Sequence, residues 1–70
     1  MNQVTYEFDH VQSAGMIFFG VKAFNKEEAH KVLDVCVKND KAFKLVKAVD
    51  EEGNEFMYDE NEEIIKVKYE

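Results

Sequence analysis

NKEEAHKVLDVCVK, residues 25–38, carries the clearest helix signals in the chain, and the remaining segments read as strands that cover it. Asn25 is an N-cap: its side-chain oxygen can accept a backbone N–H of the first turn, and Glu28, three residues on, can reach back. Glu27 and Glu28 sit where the helix dipole favours acids, and Lys38 where it favours bases. Glu27–Lys31 and Asp34–Lys38 are i,i+4 pairs in the favourable order. Ala29, Val32, Leu33 and Cys36 form the stripe of a helix with one buried face. Phe24 is placed to staple onto Ala29, and Asn39 to end the helix in the left-handed conformation.

Outward from this helix the chain reads as short strands. Residues 3–9 alternate, with Val4, Tyr6 and Phe8 on one side and Thr5, Glu7 and Asp9 on the other. Residues 10–15 form a turn with Gly15. Residues 16–21 are apolar on both sides, as in a central or doubly covered strand. Residues 41–52 admit two readings. Ala42, Leu45, Val46 and Val49 are spaced as a helix face, but such a helix would have lysines at its start and acids at its end, against its dipole. A strand over Phe43–Val49 is preferred. It leads into a glycine-containing hairpin loop at Asp50–Asn54, a return strand at Glu55–Asp59 and a turn at Asp59–Glu62. In the last strand, Ile64–Tyr69, the residues Ile65, Val67 and Tyr69 are expected inward. The expected fold is α+β: residues 1–70 as one domain, a small, mostly antiparallel sheet in the order β-β-α-β-β-β, with one helix packed on one face. The direction of the crossover is open at this point.

Seventy residues with one cysteine can form no internal disulfide, and no Cys/His cluster suggests zinc. A domain this small depends on its apolar fraction, here 46% with six phenylalanines and three tyrosines. No apolar run approaches the roughly 20 residues of a membrane-spanning helix. Residues 1–10 lack the basic start and apolar core of a signal peptide. A single free thiol fits a reducing compartment, and the cytoplasm is the expected location.

The net charge of −6 is not evenly spread. Asp50, Glu51, Glu52, Glu55, Asp59, Glu60, Glu62 and Glu63 crowd residues 50–63 with no base among them. The segments before and after each carry one net positive charge. All nine bases are lysine, so the bidentate arginine fork that reads phosphate and guanine is missing, which argues against direct nucleic-acid binding.

Candidate chemistry is sparse. Cys36, on the expected buried stripe, reads as apolar filler. His30 lies six residues from it, roughly 120° round the helix, and cannot serve as its base. Placed between Glu27 and Asp34, His30 reads as a solvated helix residue, and Ser13 as an ordinary turn serine. A general acid needs burial to raise its pKa, and acids in exposed turns lack it. Asp50-x-Glu52-x-Asn54 and Asp59-x-Asn61-x-Glu63 alternate oxygen ligands, but neither has the glycine spacing of an EF-hand, so polar turns are the preferred reading. No cofactor, metal or catalytic residue is expected.

The expected function is therefore a small, acidic, non-enzymatic protein-binding or regulatory module. Its acids would be gathered on loop tips at one end of the sheet, facing a basic groove on a partner. That partner is another protein, including one that itself binds nucleic acid. The size and acidity suit inhibitors of phage and mobile-element type, in which carboxylates imitate phosphates. A single helix leaves the second sheet face open, with Met16, Phe18, Val46, Ala48, Met57 and Ile64 beside Lys44, Glu55, Lys66 and Lys68. Of these, Met16, Phe18 and Met57 are assigned to partner contact or to a homodimer through that face. The alternatives are a small enzyme or enzyme subunit with a site at a dimer interface, for which His10, Tyr6, Tyr58 and Tyr69 are the groups to inspect, and an assembly subunit that uses its edge strands.

Overall fold

The computed structural model describes residues 2–12 and 17–70, with Ile17, Phe18 and Asp40 described by their backbone alone. The fold is α+β. Strands β1 (Val4–His10) and β2 (Ile17–Ala23) precede helix α1 (Lys26–Cys36), and β3 (Phe43–Val49), β4 (Glu55–Tyr58) and β5 (Ile64–Lys68) follow it. Residues 41–52 contain no second α-helix; a short 3-10 turn at Asp40–Ala42 leads into β3. The sheet order is β2-β1-β3-β4-β5, and every neighbouring pair is antiparallel. Both β2 and β3 run against β1, so α1 crosses between two parallel strands with β1 inserted between them.

The helix begins as its sequence dictates. Asn25 is the N-cap, and its Oδ1 accepts the Glu28 N–H at 2.8 Å. Glu28 reaches back one residue further than in a capping box, to the Phe24 N–H at 3.2 Å. Phe24 itself is exposed. The other end differs from expectation. Val37 caps the helix in extended conformation, its N–H bonding the Leu33 carbonyl at 2.9 Å. Asn39 is not left-handed, and Lys38 lies beyond the last turn.

The buried face is also rotated. Ala29 and Leu33 are fully buried, but Val32 and Cys36 are exposed, while Val37 packs on the core. At 100° per residue, Lys26, His30, Leu33 and Val37 form the stripe on the sheet side, roughly 80° round from the one expected. The reason is the β4–β5 hairpin, which meets the helix on the His30 side. Cys36 is thus not core filler, and His30 is not a solvated residue.

The core is one cluster: Tyr6, Phe8, Val21, Ala23, Ala29, Leu33, Leu45 and Ala48. Three β-bulges set which residues join it. Phe18 is the extra residue opposite β1, Val46 the extra residue on β3, and Ile65 the extra residue on β5. Each bulge reverses the inside–outside alternation of its strand. Ala48, expected on the open face, is paired with Tyr6 and buried. Ile64 is opposite Tyr58, which packs on the core, so it too lies on the helix side. Ile65 and Tyr69, expected inward, are 67% and 76% exposed. Register pairs place Thr5, Glu7, Lys22, Lys47, Val49, Glu55, Met57, Lys66 and Lys68 together on the open face. Among these residues the charged ones predominate, and Met57 and Val49 are the apolar ones.

Candidate functional site

The eight acids of residues 50–63 belong to two hairpin loops and the strand between them. In Asp50–Asn54, the Asp50 carbonyl accepts the Gly53 N–H at 3.1 Å, and the Asp50 N–H donates to the Asn54 carbonyl at 3.0 Å. The Asp50 carboxylate takes the N–H groups of Glu52 and Asn54, both at 2.9 Å, and the Asn54 side-chain amide at 2.9 Å. Gly53 has φ +88°. In Asp59–Glu63 the same backbone bonds recur one for one. The Asp59 carbonyl accepts the Glu62 N–H, and the Asp59 N–H donates to the Glu63 carbonyl, both at 2.9 Å. The Asp59 carboxylate takes the N–H groups of Asn61 and Glu63 at 2.8 and 3.0 Å. Glu62 has φ +60°, in the position Gly53 holds in the first loop. Both are type I turns followed by a left-handed residue, the usual three-residue hairpin connection, with aspartate in its favoured first position.

This construction decides which acids face outward. Asp50 and Asp59 are consumed in holding their own loops. The Asn54 amide first, then the backbone N–H groups of Asn54, Glu52 and Gly53, hold the Asp50 carboxyl below the usual aspartate range. Glu55 lies 2.9 Å from the Lys47 amine, and that bond, with the charges of Lys47 and Lys68, lowers its pKa. Lys47, bonded to Glu55 and 3.9 Å from Glu7, is raised in turn. Glu62 is bound to the helix. That leaves Glu51, Glu52, Glu60 and Glu63, all exposed.

The two loops are not gathered at one end of the sheet. They cap opposite ends of β4, because consecutive hairpins in a meander must alternate. The expectation of a single acidic pole is therefore corrected to two acidic tips.

The second loop is the one that bonds to α1. The Lys26 amine donates to the Glu62 carbonyl at 3.0 Å, and His30 Nε2 is 2.6 Å from Glu62 Oε2. An ionised carboxylate only accepts, so with Glu62 ionised this bond requires the proton on Nε2. The His30 ring also stands edge-on to Phe8, centroids 5.1 Å apart. Between the start of α1 and this loop lies an open groove of about 480 Å³, lined by Tyr6, Asn25, Lys26, Glu27, Tyr58, Glu62, Glu63 and Ile64. A smaller hollow of about 150 Å³ lies beside the first loop, lined by Gln3, Thr5, Lys22, Val49, Asp50 and Glu51. Burial first, then the charge of Glu27, raises the Tyr6 pKa. Burial, then Tyr6 and Glu62, raises that of Tyr58.

The other residues singled out from the sequence do not join this arrangement. Met16 lies outside the described residues, as does the turn serine Ser13, and the side chain of Phe18 is likewise not described. Met57 is half-buried on the open face beside Lys47 and Lys66. His10 accepts the Gln12 N–H on Nδ1 at 3.2 Å and packs on Phe43. Tyr6 and Tyr58 meet in the groove, but His10 and Tyr69 do not line it. Among the described residues no group of three or more His, Cys, Asp or Glu is placed to hold a metal ion. No helix among them is long and apolar enough to cross a membrane. Comparison with family models, with curated proteins and with solved structures gives no match.

Proposed function

We propose that the chain is a non-enzymatic protein-binding module whose outward carboxylates recognise a basic surface on another protein. One observation carries this reading. Asp50 and Asp59 fix their loop backbones from within, so Glu51, Glu52, Glu60 and Glu63 are displayed on ordered hairpins. Ordered display reduces the entropy lost on binding, and a net charge of −6 steers a positively charged partner toward the tips. The role is that of a regulator or inhibitor, by occupation of a basic groove.

Self-association is the weaker reading. The open-face residues described on β3, β4 and β5 are mostly charged. Antiparallel pairing of β5 with a second β5 over its full length would set Lys66 opposite Lys66, a like-charge contact of the kind that edge lysines supply to discourage pairing.

The test is partner capture at graded salt by the wild-type chain and by the double variant Glu51→Lys/Glu60→Lys. The expected result is a partner lost both with salt and on charge reversal, with helix and sheet content unchanged. Capture indifferent to salt and to charge reversal would overturn the reading.

A further inference from the structure

We infer that the groove between α1 and the β4–β5 loop is a receptor for an arginine side chain of the protein partner. This rests on the protein-binding reading and names the group recognised at one point of it. The groove is large enough for a guanidinium and its stem, and falls within the usual range for ligand sites. Its walls combine two tyrosines, Tyr6 and Tyr58, with three carboxylates, Glu27, Glu62 and Glu63. A planar cation stacks on tyrosine faces and donates up to five N–H bonds in a fixed fork, so oxygen acceptors beside aromatic rings suit it better than they suit an anion or a neutral group. Tyr6 is only 7% exposed, yet it lines the groove, and neither its hydroxyl nor that of Tyr58 has a hydrogen-bond partner among the described residues. Both side chains line the groove, and a phenol oxygen can accept from a guanidinium as well as donate.

The two positive features nearby are already engaged. Lys26 is the one base among the described residues of the lining; its amine donates to the Glu62 carbonyl, and its charge is outnumbered by the three lining carboxylates. The helix N-terminus is offset by its own cap, with Asn25 taking the Glu28 N–H and Glu27 and Glu28 in the first turn. The raised tyrosine pKa values, to which Glu27 and Glu62 contribute after burial, agree with a negative potential inside the groove. The first loop has no equivalent among the described residues: its hollow is smaller and lined by no aromatic residue.

The test is a solution titration of the full chain with acetyl-tetra-arginine amide, followed by backbone amide NMR shifts, with tetra-citrulline and tetra-lysine amides as neutral and ammonium controls. The expected shifts centre on Tyr6, Asn25–Glu27, Tyr58 and Glu62–Ile64, with arginine binding more tightly than lysine and citrulline not binding. Tyr58→Phe, which removes only the hydroxyl, and Glu27→Gln/Glu63→Gln should each weaken binding, the carboxylate pair by roughly fivefold. Glu51→Gln should leave it unchanged. Equal binding of citrulline, lysine binding as tight as arginine, equal shifts at both loops, or no binding would each overturn the assignment. Shifts confined to Glu51 and Glu52 would remove the groove while leaving the acidic-surface reading standing.

Discussion

The loops at Asp50–Asn54 and Asp59–Glu63 are built on one plan and put to different uses. Each turns on an aspartate that accepts two backbone N–H groups of its own loop, and each needs a left-handed residue in fourth place. The first loop puts glycine there and stands clear of the helix. The second puts Glu62 there, a residue for which that conformation costs about 1 kcal/mol or more. What holds it is tertiary: Lys26 on its carbonyl and His30 on its carboxylate. The same turn is thus closed by local preference in one place and by docking in the other, and the docked copy forms one wall of the groove.

The largest effect expected from a single change in either loop is at Gly53. With φ at +88°, Gly53→Ala should cost about 1–2 kcal/mol of unfolding free energy. The added Cβ would meet only the Glu70 side chain, 3.3 Å away and free to move, so the loss is backbone strain and not a clash. Chemical denaturation measures it, and an unchanged midpoint would remove the strain argument.

Glu62 should behave in the opposite sense. Glu62→Ala keeps the strained backbone and removes the bond to His30, and should destabilise by about 1 kcal/mol. Glu62→Gly loses the same bond but relieves the backbone, and should lie within about 0.5 kcal/mol of wild type. Equal stability of the two variants would mean that Glu62 carries no conformational cost.

Acid should act on the first loop through groups with a known direction of shift. Asp50 and Glu55 have folded pKa values below their ordinary 3.8 and 4.5. Their contribution is complete above those ordinary values and is lost as pH falls through the lower folded ones. Below about pH 4, stability should decline, and the Glu52 and Asn54 amides should lose protection from exchange. Constant protection of these amides down to about pH 2, well below the ordinary carboxyl range, would contradict the hydrogen-bond scheme.

The smallest effect belongs to the outward acids. Glu51→Gln and Glu60→Gln should each change stability by no more than about 0.5 kcal/mol, since neither holds a loop. A larger loss would place that carboxylate inside the structure and remove it from the binding surface.

Much of this architecture was legible in the residues. Asn25 and Glu28 marked the start of the helix, the charge order of residues 41–52 argued for a strand, and the Asp-Glu-Glu-Gly-Asn run marked the first loop. The opposite placing of the two loops was also available, because a meander strand of four residues cannot bring both its loops to one end. The rest lay outside local pattern. Nothing in the neighbourhood of Phe18, Val46 or Ile65 announces a bulge, yet those bulges decide that Ala48 is core and that Ile65 turns outward. The rotation of the helix could not be read from its own stripe, because the partner of His30 is Glu62, 32 residues on. Glutamate in the left-handed position gives no sequence signal at all; glycine does.

The attachment of the second loop to the helix is measured directly by a double-mutant cycle between His30→Ala and Glu62→Ala. The predicted result is a coupling free energy of about 1 kcal/mol, with Glu51→Ala showing none to His30. A coupling indistinguishable from zero, with the double variant costing the plain sum of the two single ones, would contradict the holding of the loop by His30 and leave Lys26 as its one bond to the helix among the described residues.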